Sequence, residues 1–172
     1  MRILLITNNF PYPPNSGFPL RVYNLLYRIA EKHEVWLATF TQADQNLSEL
    51  AHLQRICSGI VTSTFQNEGV FKRPVTALHY LIKGIPPNLR VFESRDLADQ
   101  IRDLITRIDF DIIQIEDSHM SIYLDVLPKS IHSQTILTFH DVNFKKYEGL
   151  IQLETKSTRK TRTCIHRYMM RR

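Results

Sequence analysis

The sequence predicts an α/β fold: a doubly wound parallel sheet with helices on both faces. Two observations carry the prediction. Short apolar runs such as Ile3-Leu4-Leu5-Ile6 are continuous rather than alternating, the mark of strands covered on both sides. Segments with apolar residues at helical spacing separate these runs, so strand and helix alternate along the chain. The 172 residues, 43% hydrophobic and 23% charged, suit one domain that builds its own core.

The first strand is Ile3–Ile6, and polar Thr7-Asn8-Asn9 ends it. A Pro-rich loop runs from Asn8 to Gly17. Val22, Leu25, Leu26 and Ile29 then recur at i, i+3, i+4 and i+7, giving an amphipathic helix that ends near Lys32-His33. Val35–Phe40 is the second strand. A helix follows Asn46 through Leu50, Leu53 and Ile56, with Gly59 expected as its stop signal. β-branched Ile60-Val61-Thr62-Ser63-Thr64-Phe65 is the third strand. Pro74 to Lys83 reads as helical, ended by Gly84 and Pro86-Pro87. Ser94 is the expected N-cap of a helix carrying Leu97, Ile101, Leu104, Ile105 and Ile108. Asp111–Glu116 is the fourth strand, Ser118–Leu127 a short helix stopped by Pro128, and Thr135–Phe139 the fifth strand. The segment after Asp141 reads as helical and polar. The whole is a Rossmann-like, three-layer α/β/α arrangement of about five or more strands, whose usual order is 3-2-1-4-5.

Composition excludes several classes. With 5 Gly, 8 Pro and 2 Cys the chain is neither disordered, collagenous nor a disulfide scaffold. Cys57 and Cys164 stand far apart without ligand neighbours, no histidine pair has metal spacing, and no metal or cofactor is expected. No apolar run approaches a membrane span, and the apolar start is too short for a signal peptide. The expected location is the cytoplasm, with peripheral attachment to the inner face of the membrane as an extension. That extension comes from charge. The net charge is +5, yet from Asp141 onward nine Lys or Arg face three acids, while the rest of the chain balances at −1. The expected organisation is a Rossmann-like domain over 1–150 and a basic helical segment over 151–172. The basic segment is either a solvated helix leading to a further lobe or a contact for an anionic membrane surface. It has few aromatics and no nucleic-acid motif, so nucleic acid is not an expected partner.

In such sheets ligands bind beyond the carboxyl ends of the strands, where the strand order reverses. The crevice between strands one and four therefore collects the candidate residues. The chain has no GxGxxG, no GxxxxGK[ST] and no GxSxG motif, which removes the dinucleotide, P-loop and serine-hydrolase readings. Asn15-Ser16-Gly17 precedes a helix. Gly17 can take a positive φ, and the helix N–H groups can meet an anion such as phosphate, or Ser16 simply caps the helix. Arg21, one turn in and off the apolar stripe, either reaches that anion or is solvated. Glu116 either accepts a sugar hydroxyl or pairs with an Arg. His119 follows, with Asp117 or Ser118 as the cap of the next helix. His140, just past strand five, is either an acid, base or hydrogen-bond donor, or a loop residue. Asp141 beside it is either a ligand contact or an N-cap.

Several stretches together resemble family 4 glycosyltransferases. They are Met1–Thr7, Phe10–Gly17, Arg21–Leu26, His33-Glu34-Val35 leading to Thr39-Phe40, Phe110–Glu116, and Thr138-Phe139-His140-Asp141-Val142. The resemblance runs the length of the chain and rests on order and spacing rather than on one motif. It implies two Rossmann-like lobes facing across a cleft, the N-terminal one holding the acceptor and the other holding most of the nucleotide-sugar. The 172 residues resemble the N-terminal lobe alone, and the acidic pair of the donor lobe has no counterpart in them. By resemblance Gly17 approaches the donor diphosphate and His140 lies near the transferred sugar, so His140 is the implied catalytic residue. Where the family commonly has two consecutive glycines, this chain has Gly17-Phe18, and a side chain there stands in the way of the donor phosphates. The implied activity is that of a retaining, metal-independent transferase moving a sugar from a nucleotide-sugar to a glycan or lipid acceptor. A lone lobe would be inactive. The alternatives are a stand-alone Rossmann-like module binding a small anionic ligand without catalysis, or a subunit whose second lobe is a separate chain.

Overall fold

The computed structural model describes residues 1–42, 45–65 and 91–139. Five parallel strands form one sheet in the order β3-β2-β1-β4-β5. They are β1 (Arg2–Thr7), β2 (Glu34–Thr41), β3 (Gly59–Thr64), β4 (Ile112–Glu116) and β5 (Thr135–Thr138). This is the expected doubly wound, Rossmann-like order, and it reverses between β1 and β4.

The continuous apolar strands have their predicted cause. Successive side chains point to opposite faces, and both faces are covered. Leu5, Val35 and Leu37 pack under α1 (Gly17–Ala30) and α2 (Leu47–Gln54), which bury Val22, Leu26 and Leu53. Leu4, Ile6, Ala38, Phe40, Ile113 and Ile115 face the other way, onto α3 (Arg95–Arg107). That helix buries Leu97, Ile101 and Leu104 along one stripe. Ser94 caps α3 as expected, its hydroxyl accepting from Leu97 N at 3.2 Å. The same hydroxyl lies 2.8 Å from Ser63 Oγ at the end of β3. Tyr123 Oη donates to Phe92 O at 2.8 Å, and the Phe65 and Phe92 rings meet at 5.9 Å.

Three sequence readings change. Gly59 does not stop α2, which ends at Gln54; it opens β3 directly against Trp36. A Cβ at Gly59 would stand 2.6 Å from Trp36 Cδ1, so the position needs the missing side chain rather than a glycine's freedom. Ser118–Val126 is a 3₁₀ rather than an α-helix. Its buried residues, Met120 and Tyr123, are three apart, and three residues per turn places them on one face. A second 3₁₀ segment, Lys129–Gln134, precedes β5 where none was expected. Its run of polar residues around Ile131 carries no periodic signal. Pro74–Lys83 and everything from His140 onward lie outside the described residues. No helix among the described residues is long and apolar enough to cross a membrane.

Candidate functional site

The carboxyl ends of β1, β4 and β5 converge where the strand order reverses. Register pairs Thr7 with Glu116 and Glu116 with Thr138. Strand alternation decides what each side chain faces. Ile113 and Ile115 enter the core under α3, so Gln114 and Glu116 project to the α1 face. There Arg21 meets Glu116, its Nε 3.9 Å from Oε2. Glu116 is fully buried, and a buried carboxylate needs both charge and hydrogen-bond partners. It has them: Thr138 Oγ1 donates at 3.2 Å and Gln114 Nε2 donates to the same oxygen. The geometry makes Glu116 the anchor of Arg21, whose own side chain is 53% exposed.

The next residue turns the chain out of the sheet. Asp117 adopts φ 85° and ψ 138°, backbone space that L side chains rarely occupy. Its carboxylate holds that conformation from several sides. Oδ1 accepts from His119 N at 3.3 Å, from Ser118 Oγ at 3.1 Å, and from His119 Nδ1 at 2.9 Å. Oδ2 accepts from Asn8 Nδ2 at 2.7 Å, while Asp117 N donates to Thr138 O at 3.1 Å. Burial alone would push this carboxyl up. The hydrogen bonds and charge of His119, with the Ser118 hydroxyl, outweigh burial and hold it below its ordinary value of 3.8. Asp117 thus fills the expected capping role and also orients His119, whose ring packs on Phe92 at 5.3 Å.

Asn8 opens the loop that the sequence places at the site, but sequence reasoning gives it no role of its own. It is 6% exposed, directly after β1, and its amide must turn nitrogen toward Asp117 because a carboxylate only accepts. The amide oxygen then points the other way, buried and without a hydrogen-bond partner. Its one sequence signal was position, immediately past the last residue of the strand at the switch point.

The remaining candidates divide. Ser16 is the N-cap residue of α1, exposed, and its side chain makes no capping bond. Gly17 begins the helix without a left-handed φ, and a Cβ there would meet nothing within 4 Å. The expectation that Gly17 uses a positive φ is therefore corrected: the local backbone accepts any small side chain. The anion cradle also lacks one donor, since Pro19 in its first turn has no N–H. His140 and Asp141 lie outside the described residues. Among the described residues no three His, Cys, Asp or Glu side chains gather to hold a metal.

Compared with models of known protein families, with characterised proteins and with solved structures, the chain matches none. Chemically the switch point gathers hydrogen-bond acceptors, namely the buried Asn8 Oδ1 and Glu116 carboxylate and the half-buried Asp117 carboxylate, both carboxylates already engaged by protein donors. One partly exposed guanidinium balances them.

Proposed function

We propose that this chain is the acceptor-side lobe of a retaining glycosyltransferase. The complete enzyme would carry a sugar from a nucleotide-sugar to a glycan or lipid acceptor, with a donor-binding lobe supplying the other wall of the cleft. The observation that carries the reading is the acceptor-rich cluster of Asn8, Asp117 and His119 at the switch point. Carboxylate and amide oxygens take hydroxyl hydrogens, which sugars supply in numbers, and they repel phosphate. The same cluster weighs against a module for a small anion, since Arg21 is already paired with Glu116. His140 keeps the role that the resemblance gives it, beside the transferred sugar.

The test is ligand-observed NMR on the purified chain. One set of probes is sugar-bearing acceptors, both free oligosaccharides and polyprenyl-phosphate-linked sugars. The other set is inorganic phosphate and uridine diphosphate. Binding of a sugar-bearing acceptor, weakened by Asp117→Ala, is the expected result. Binding of phosphate or the nucleotide with no sugar-bearing acceptor overturns the reading in favour of the anion module. In the same preparation, transfer from nucleotide-sugars is expected to be absent at the ~1–10³ per second of ordinary enzymes.

A further inference from the structure

Beside the switch point, on the β2 side, the β1–α1 loop and the start of α2 enclose a cleft of about 550 Å³. That volume lies in the range of small-molecule sites, roughly 300–1,000 Å³. Its lining mixes two kinds of side chain: rings, including Tyr12 and Phe18, and polar groups, including Asn15, Gln42 and Glu49. Among the described residues no Lys, Arg or His lines it, and the one charged lining residue is the carboxylate Glu49.

We infer that this cleft binds an uncharged saccharide, one ring lying with its C–H face on the aromatic wall and its hydroxyls on Asn15, Gln42 and Glu49. Elimination leads there. A phosphate or carboxylate ligand would meet Glu49 with no cation to offset it. A wholly apolar ligand would strip water from the amides and the carboxylate and leave them unpaired. A sugar ring satisfies both walls at once, because it carries hydroxyls around its edge and an apolar face.

The aromatic wall is set in place before any ligand arrives. Tyr12 stacks on His52, with ring centroids 4.1 Å apart and planes 21° apart, and His52 Nε2 lies 2.9 Å from Tyr23 Oη. His52 is outside the lining, so it backs Tyr12 from behind the cleft. Gln45 donates to Glu49 Oε2, and Oε1 has no partner among the described residues. The side chains of Asn15 and Gln42 likewise make no bond among the described residues. The aromatic wall, held by its neighbours, loses little entropy on binding. This inference rests on the glycosyltransferase reading and narrows it, since it selects a neutral glycan over a phosphate-linked lipid as the acceptor.

The test uses the purified chain against an array of neutral oligosaccharides with gluco-, galacto-, manno- and N-acetylhexosamine rings. Glucose 1-phosphate, a polyprenyl-phosphate-linked sugar and uridine form separate arms. Backbone amide shifts report both binding and its location. At least one neutral oligosaccharide is expected to bind at least tenfold more tightly than glucose 1-phosphate and to shift amides around Tyr12 and Gln42. Tyr12→Ala should weaken it roughly tenfold and Tyr12→Phe should leave it nearly unchanged, because an aromatic contact carries that order of affinity. Glu49→Gln should bring glucose 1-phosphate close to parity with the neutral sugar. Should Tyr12→Ala fail to fold, Gln42→Ala at an exposed position serves, with a loss of about threefold. Binding only to the phosphate-linked sugars would overturn this inference and leave the lobe reading standing. Binding of uridine as tight as the sugars, or sugar binding indifferent to Tyr12 and Gln42, would overturn it too. If no carbohydrate of either kind binds, both readings fall together.

Discussion

The turn at Asp117 stores strain that a substitution series can release. At φ 85° and ψ 138° an L residue costs about 1–3 kcal/mol that glycine does not. The carboxylate offsets this through the bonds from Asn8, Ser118 and His119. Asp117→Ala keeps the strain and removes those bonds. It loses a cap contribution of about 1 kcal/mol. It also strands Asn8, whose amide has no other partner, for roughly another 1–3 kcal/mol. A total cost of about 2–4 kcal/mol follows. Asp117→Gly loses the same bonds but relieves the strain, less about 0.5–1 kcal/mol for the freer unfolded chain. Glycine should therefore cost about 1 kcal/mol less than alanine. Urea unfolding of the three proteins, followed by far-UV circular dichroism, measures this ordering. Alanine as stable as glycine, at equal slopes, would refute the idea that the backbone is strained here. The acid dependence has a definite sign. The folded carboxyl titrates below its ordinary 3.8, so its contribution is complete above that value. It disappears as pH falls through the lower folded value, and the gap between wild type and Asp117→Ala should narrow there.

Three further outcomes are expected. Gly59→Ala should destabilise by roughly 1–3 kcal/mol because its Cβ meets the Trp36 ring. Gly17→Ala should be neutral or stabilising by up to ~1 kcal/mol, and thermal melting that reverses this order would contradict the assigned surroundings. If Gly17→Ala stays folded yet loses ligand, the glycine serves a ligand's approach rather than the helix. Arg21→Ala should cost about 1 kcal/mol or less, since the guanidinium is half exposed and its pairing loose. Glu116→Ala should cost more, because it strips partners from Gln114 and Thr138; equal losses in denaturant would argue against Glu116 as the anchor. Burial pushes the Cys57 thiol up to about 12, so it should resist alkylation at pH 8 in the native state and react on unfolding. Mass spectrometry of the peptide containing Cys57 reads this directly.

The sheet was legible because burial on two faces writes itself as continuous apolar runs, and the gaps between Ile3, Val35, Ile60, Ile112 and Thr135 leave room for crossovers. The α3 cap was legible because Ser94 and the Leu97–Ile101–Leu104 stripe are local signals. The site was only half legible. Topology places Glu116 at the switch point with an Arg as one expected partner, but it does not name Arg21, which the sequence leaves to an anion or to solvent. Asn8 and Asp117 are 109 residues apart, and their contact depends on the register between β1 and β4, which no local pattern states. A left-handed aspartate is equally silent, since nothing in Glu116-Asp117-Ser118 differs from an ordinary cap. Gly59 misled because a glycine beyond a helix suits two purposes, and only the Trp36 ring across the sheet distinguishes them.

The hydroxyl contact between Ser63 and Ser94, with the Phe65 and Phe92 rings beside it, pins together two points of the chain that are far apart in sequence. The two ends of the stretch between them are therefore fixed by the described domain itself. The closure entropy of a loop grows only with the logarithm of its length, about 0.6 kcal/mol for each doubling. This junction is therefore a port at which sequence can be lengthened, shortened or exchanged at small thermodynamic expense. The sheet and the switch-point residues would remain as they are. Variation among related chains should concentrate at this junction, where the fold resists it least.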